Sequence, residues 1–252
     1  DRQSLATSEK LLTYLSALSP TGQITQTGST MSIFPLSPRF ARILLVGHLH
    51  DCLPYTIALV AGLSAPDFFI PENQVVPAAP VREEDAYFTS ADRIEEDVRL
   101  NIRRKFNKVQ KDFCFLDDKS DAIKLLQVVG EFAHEPTEDW CKEHFVRFKV
   151  LKEILQLRRQ ITDLLRTNIT AFAGLKFQDK LDPPSAKQVK ALKQMVAAGF
   201  IDHIAMRADL SPNPPDVKRK PTRAIDVPYV TLFPSHIKRD DDEKAVYIHP
   251  SS

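Results

Sequence analysis

FPLSPRFAR, Phe34 to Arg42, is the stretch on which the organisation of this sequence turns. Pro35 and Pro38 bracket a stiff connection, since each ring fixes φ and removes a backbone donor. Beyond it, Arg39 to His48 has helical periodicity through Phe40, Ile43, Leu44 and Gly47. The stretch reads as a joint: a small element lies before it, and Arg39 and Arg42 stand at the opening of a helical bundle.

Upstream, Leu11, Leu12, Leu15 and Leu18 mark one face of a helix that Pro20-Thr21-Gly22 is expected to end. Ile24 to Phe34, punctuated by glycines, reads as turns or a small hairpin rather than a helix. Downstream, Pro54 suits the first turn of a helix, where its missing N–H is not needed, and Tyr55 to Leu63 is apolar nearly all round and therefore buried. Phe69 to Pro80 carries three prolines and reads as a linker or extended excursion. From Asp92, residues Ile94, Val98, Ile102, Phe106, Val109 and Phe113 recur every three or four positions, which predicts an amphipathic helix of about five turns. Ser120-Asp121 begins another helix. After Pro136 a long helix is expected from about Glu138 to Leu165, striped by Leu151, Ile154, Leu157, Ile161 and Leu164.

After Arg166 the character changes. Pro183-Pro184 introduces a short helix capped by Ser185 and ended by Gly199, with Val189, Leu192 and Val196 inward. Phe200 to Met206, Tyr229 to Phe233 and Ala245 to His249 are strand-like, and Asp209 to Arg223 between them has the composition of a surface loop. The expected fold class is mostly α with a small β part suggesting a partial barrel, divided as 1–38, 39–166 with a 71–91 linker, and 167–252.

With 252 residues and 43% apolar composition, the chain can build one large domain or two to three smaller ones. Cys52, Cys114 and Cys141 are odd in number and far apart, which fits a reducing compartment and offers no disulfide framework. No run approaches the ~20 apolar residues of a membrane span, and DRQSLATSEK lacks the architecture of a secretory signal. The expectation is an intracellular, soluble chain with no membrane partner. The net charge of +1 conceals an asymmetry: residues 71–139 hold ten basic and sixteen acidic side chains, whereas 140–252 hold twenty and thirteen. A polyanion would meet the C-terminal half, although an ordinary solvated surface has the same composition.

The sequence has no GxxxxGK loop to cradle a triphosphate, no DEAD or DEAH quartet to hold magnesium, and neither GxSxG nor HExxH. No catalytic and no cofactor-binding residue is therefore assigned. His48, His50, Asp51 and Cys52 cluster, and Cys141 with His144 is a second pair, but without a nearby CxxC or CxxH partner packing and helix-end roles outweigh a metal site.

Residues 142–166 contain seven basic side chains against three acidic ones. Among them Lys149, Lys152, Arg158 and Arg159 form the candidate strip, with Lys152 and Arg159 on one side and Lys149 close by. Lys187, Lys190 and Lys193 are spaced by three and fall within roughly 120° of one helix face, opposite Leu192 and Val196. With Arg207 these eight are the candidate nucleic-acid-binding residues. Such groups neutralise phosphates without reading bases, as single-stranded nucleic acid requires of a positive groove. For each taken singly, a merely solvated helix face is the competing reading. Phe200, Tyr229 and Phe233 offer stacking surfaces, though aromatics in alternating strands are more often core.

Several segments in order resemble the C-terminal region of DEAH-box RNA helicases: the end of a winged-helix domain, a helical ratchet domain and an oligonucleotide-binding (OB-fold) barrel. Gly22-Gln23-Ile24-Thr25, Gly28, Met31 and FPLSPR resemble the winged-helix end and its exit. Asp51 to Ala58, Ala61 to Ser64, Ser120-Asp121, Trp140-Cys141 and Phe145 to Gln160 resemble the ratchet helices. Ala197 to Phe200, Tyr229 to Leu232 and IHPSS at Ile248–Ser252 look like the barrel. FPLSPRFARILL and WCKEHFVRFKVLKEILQLRRQI are most similar to the nucleolar DEAH helicase of small-ribosomal-subunit assembly.

The resemblance implies an accessory part of an ATP-dependent 3'-5' RNA helicase, lining the RNA path and docking an activator protein during precursor ribosomal RNA processing and small nucleolar RNA release, in the nucleus and nucleolus. Both RecA-like motor domains, where ATP and magnesium bind in the family, lie outside this sequence. The barrel also stops early. The chain is therefore expected to be a piece of a longer protein, not catalytic alone and holding no cofactor itself. The alternative is a protein-binding scaffold within a helicase or ribosome-assembly complex, without direct RNA contact.

Overall fold

The computed structural model describes residues 2–34, 36–79, 87, 89–210, 212, 223–234 and 245–249. They form a mostly helical fold with one two-stranded antiparallel sheet, the expected fold class. By contact density they fall into two compact units, residues 1–53 together with 191–252, and residues 54–190.

Helix α1 (Arg2–Tyr14) stops well before Pro20. Ser16 takes a left-handed backbone, φ 59°, and the chain turns there to let Leu18 bridge Ile24, so the expected terminator is corrected: the turn at Ser16 comes first. Helix α2 (Gln26–Met31) occupies part of the stretch expected to be turns. The signal was Thr25, whose Oγ1 accepts from the Gly28 N–H at 2.9 Å and so satisfies one of the helix's unpaired donors. Helix α3 (Pro38–Leu49) begins at the joint as expected. Ser37 caps it and Pro38 fills its first turn, while Pro35 lies outside the described residues. Leu15, Met31, Phe34, Ile43 and Leu44 are buried in this part.

Helix α4 (Leu53–Ser64) accepts Pro54 in its first turn, and Ile57 to Ala61 are buried on every side. The proline-rich stretch after it holds a single helical turn, α5 (Glu72–Val75). Helix α6 (Ser90–Asp112) is closed by a reciprocal capping box between Thr89 and Asp92. Its apolar stripe is only partly covered: Phe106 is buried, but Ile94 and Val98 are 67% and 52% exposed. Helix α7 (Asp121–His134) follows its Ser120 cap and buries Ile123, Leu126, Val128, Val129 and Phe132.

The single long helix expected from Glu138 is in fact two, α8 (Glu138–Glu143) and α9 (Phe148–Asn168). Phe145 takes φ 55° between them. The interrupted backbone is used elsewhere, since the Phe145 carbonyl accepts from Ile70 N–H at 3.1 Å and the Arg147 N–H donates to the Phe68 carbonyl at 2.8 Å. The proline-rich excursion thus binds edge-on to the break, a tertiary demand that helical periodicity does not reveal. Trp140 stacks on His144 at 4.2 Å and meets Phe113 and Phe132, an aromatic cluster beneath α7.

Helix α10 (Ala186–Gly199) has the expected Ser185 start. Ser185 Oγ accepts from Gln188 N–H, and Gln188 Oε1 accepts from Ser185 N–H at 2.9 Å. Val189, Leu192 and Met195 are its buried side chains, with Val196 only half-buried. The first expected strand is shorter than Phe200–Met206: a 3-10 turn occupies Ile201–His203 and points Asp202 inward, to Arg39. Strand β1 (Ala205–Arg207) then pairs with β2 (Tyr229–Thr231), Met206 opposite Val230. Val246 adds a bridge to Tyr229. Among the described residues no closed barrel forms, and these pieces are consistent with part of an OB-fold. Most of the Asp209–Arg223 loop lies outside the described residues.

Candidate nucleic-acid interface

Helix α9 is strongly two-sided. At 100° per residue, Leu151, Ile154, Arg158, Ile161, Thr162 and Leu165 share one arc, and all six are buried. Lys149, Lys152, Arg159 and Arg166 lie on the opposite arc and are exposed. The outer face therefore holds Lys149, Lys152 and Arg159 together, as expected.

Arg158 is not on that face, which corrects its expected place in the exposed strip. It is 2% exposed and lies amid the helix's apolar residues. Its Nη2 donates to the Gln178 carbonyl at 3.0 Å, and its guanidinium carbon is 5.4 Å from the Phe177 ring centre. Nε and Nη1 are buried with no hydrogen-bond acceptor among the described residues. Burial pushes its pKa down, with Asp179 pulling the other way. The sequence held the signal: Arg158 lies seven residues after Leu151 and seven before Leu165, at the centre of the inward arc.

The same loop brings residues that the sequence did not single out. Asp179 pairs with Arg159 at 3.0 Å, and the Arg159 guanidinium lies 4.9 Å from the Phe177 ring centre. Lys176 and Lys180 flank these positions, both exposed. Arg159 is therefore partly neutralised, whereas Lys149 and Lys152 have no carboxylate within ion-pair distance among the described residues.

On α10, Lys187, Lys190 and Lys193 are exposed along the side away from Val189 and Leu192. Neither Lys187 nor Lys190 has an ion-pair partner among the described residues. Arg207, the last residue of β1, is exposed but engaged: Nε and Nη2 grip the Asp209 carboxylate at 3.0 and 2.9 Å. That hydrogen bond, then the charge of Asp209, raises its pKa. Of the eight candidates, Lys149, Lys152, Lys187 and Lys190 have no ion-pair partner among the described residues, Lys193 is exposed with a partner of its own, Arg159 and Arg207 share their charge with aspartates, and Arg158 is buried.

The stacking candidates have neighbours of their own. Phe200 packs edge-on to Phe40 at 6.2 Å beneath the Arg39 guanidinium, and Phe233, 42% exposed, meets Tyr14 at 6.3 Å. Among the described residues no three His, Cys, Asp or Glu side chains gather as metal ligands. Cys141 is buried and its thiol is raised to about 11, first by desolvation and then by Glu138; Cys52 is buried and raised by the same causes, with Asp51 as the charge. Neither is a ready nucleophile. His144 gives Nδ1–H to the Trp140 carbonyl at 2.7 Å. No described helix is long and apolar enough to cross a membrane.

Exposed ammonium groups on each of two helices suit contact with a nucleic-acid backbone. Residues 8–36 match the winged-helix part of the helicase associated domain HA2, and residues 37–125 its ratchet-like part, meeting within FPLSPRFAR. The chain is a helicase-associated region of the winged-helix and ratchet type. It is homologous to DEAH-box RNA helicases: it is 36% identical, along its whole length, to the probable ATP-dependent RNA helicase DHR1 of Saccharomyces cerevisiae, covering 21% of that protein. A putative ATP-dependent RNA helicase of Schizosaccharomyces pombe is 35% identical over 93% of this chain and 19% of its own length. The probable ATP-dependent RNA helicase DHX37 of Homo sapiens is 31% identical over 81% of this chain and 18% of its own length. The chain spans about a fifth of the length of these relatives.

Proposed function

We propose that this chain forms one wall of the RNA path in an ATP-dependent 3'-5' RNA helicase and offers a docking surface for an activator protein. Its work is precursor ribosomal RNA processing and release of a small nucleolar RNA during small-subunit assembly, in the nucleolus. ATP and magnesium belong to RecA-like motor domains of the same protein. Residues 1–38, 39–166 and 167–252 serve as winged-helix end, ratchet and OB-like part.

The observation that carries the reading is the set of exposed lysines without an ion-pair partner among the described residues, Lys149 and Lys152 on α9 and Lys187 and Lys190 on α10. An ammonium without a carboxylate partner is free to replace the counterions of a phosphate, and that release drives sequence-independent binding. Lys193 and Arg207 add exposed basic groups that already have partners of their own, Asp209 in the case of Arg207. The reading is tested by ultraviolet crosslinking of the full-length protein to uridine-rich single-stranded RNA, with adducts mapped by residue. Adducts are expected on the outer face of α9, on α10 and on the Lys176–Lys180 loop. Adducts absent from all three segments while the protein retains RNA would overturn the assignment.

A further inference from the structure

The 54–190 unit contains a cleft that the basic surfaces do not use. It has a volume of about 140 Å³, close to that of an apolar cavity that accepts a benzene ring. Leu126 and the bare backbone of Gly130 form its floor, the rigid Pro183-Pro184 pair one wall, and Phe115 its lip. A Cβ at Gly130 would lie 3.3 Å from the Leu181 carbonyl oxygen, so the glycine lets the 181–184 segment approach α7 and shape the floor. Phe115 is 85% exposed, an unusual position for a large aromatic.

Polar bonds hold this shape rigidly. Gln127 Oε1 accepts from the Leu116 N–H at 3.1 Å, while its Nε2 donates to the Asp112 carbonyl at 2.9 Å and to Glu131 Oε1 at 2.7 Å. His134 Nε2 lies 3.3 Å from the Leu181 carbonyl and 3.6 Å from Asp182 Oδ1. The cleft opens onto a wider shelf that shares Phe115, Gln127 and Glu131 with it and is bordered by Lys111, Asp112 and Asp118. Around the two, Asp112, Asp118, Glu131 and Asp182 face one lysine and one histidine. An acidic rim repels RNA, and a nearly all-apolar lining lacks the directed polar groups that orient a small metabolite.

We infer that this cleft docks a short peptide segment of a protein partner, one Leu- or Phe-sized side chain entering between Phe115 and Pro183-Pro184 while flanking Lys or Arg residues pair with Glu131, Asp182 and Asp118. The inference rests on the activator-docking part of the proposed function and is independent of the RNA part. The apolar anchor supplies affinity by burial, and the acidic rim selects basic segments over acidic ones.

The test is fluorescence anisotropy with the intact chain and three labelled hexapeptides: Lys-Arg-Leu-Phe-Lys-Arg, its acidic counterpart Glu-Asp-Leu-Phe-Glu-Asp, and Lys-Arg-Ser-Ser-Lys-Arg. Only the first is expected to bind, and the double change Glu131→Lys, Asp182→Lys should weaken it about tenfold. Phe115→Ser, on the open lip, should weaken it without moving the thermal midpoint. Equal binding of the acidic or the serine peptide, displacement of the first peptide by a uridine decamer, or no binding at all would overturn the inference. Single-stranded RNA retention measured on the same samples separates the two ideas. RNA bound and peptide ignored removes only the cleft, and the reverse removes only the RNA path.

Discussion

Asp202→Ala is expected to lower the unfolding free energy by about 2–3 kcal/mol, the upper range for losing a charge-assisted, two-pronged hydrogen bond to a half-buried guanidinium. The Asp202 side chain is 4% exposed and Arg39 19%. The contact is two-pronged, Arg39 Nη1 to Oδ1 and Nη2 to Oδ2, the latter at 2.8 Å. Nη1 also reaches the Gly199 carbonyl at 3.3 Å. Without the carboxylate, the guanidinium keeps, among the described residues, that carbonyl and the face of Phe200. The hydrogen bond to Asp202 raises the Arg39 pKa against the opposing effect of burial. A raised pKa on a cation means a contribution fully present below the unfolded value and lost only in strong alkali, so Arg39 contributes evenly across the neutral range. Urea unfolding of wild type and variant checks this, and a change below about 1 kcal/mol, the range of a surface pair, would contradict it.

Gly28→Ala is expected to cost about 3 kcal/mol, although alanine in a helix ordinarily stabilises relative to glycine by roughly 0.5–1 kcal/mol. The sign reverses because a Cβ at position 28 would fall 2.1 Å from the Ala17 carbonyl oxygen and 2.9 Å from its carbon. Those are backbone atoms and cannot rotate away. The same oxygen accepts the Thr25 N–H at 3.0 Å and the Thr25 hydroxyl at 3.2 Å, so moving it also disturbs the cap of α2. Gly174→Ala is the control, since nothing lies within 4 Å of its added Cβ. Thermal unfolding should show a lower midpoint for the first variant and none of that loss for the second.

The parts of the fold that were legible in the sequence are those set by local chemistry. The joint at Ser37-Pro38, the cap at Ser120, the start of α10 at Ser185 and the apolar run of α4 each carry their own signal within a few residues. What escaped was set by distant partners. The helix break at Phe145 exists because the Phe145 carbonyl accepts from Ile70 N–H while Arg147 N–H donates to the Phe68 carbonyl, and the turn at Asp202 exists because Arg39 claims that carboxylate. Ile94 and Val98 show the converse: a stripe with correct periodicity that no described element covers.

The candidate interface was partly legible in the same way. Charge and spacing alone marked the outer lysines of α9 and α10. They also admitted Arg158, because basic side chains read as exposed unless the apolar arc is followed through them. Pairing was invisible: nothing in the sequence says that Arg159 meets Asp179 or that Lys152 meets no carboxylate among the described residues.

The salt dependence of single-stranded RNA binding by the full-length protein is the most direct measurement of the central claim. With Lys149, Lys152, Lys187, Lys190 and Lys193 replaced by Ala, affinity should fall alike for all RNA sequences, and the slope of log K against log salt should shrink by about 0.7 for each phosphate contact removed. Unchanged affinity and slope at low salt would contradict the account.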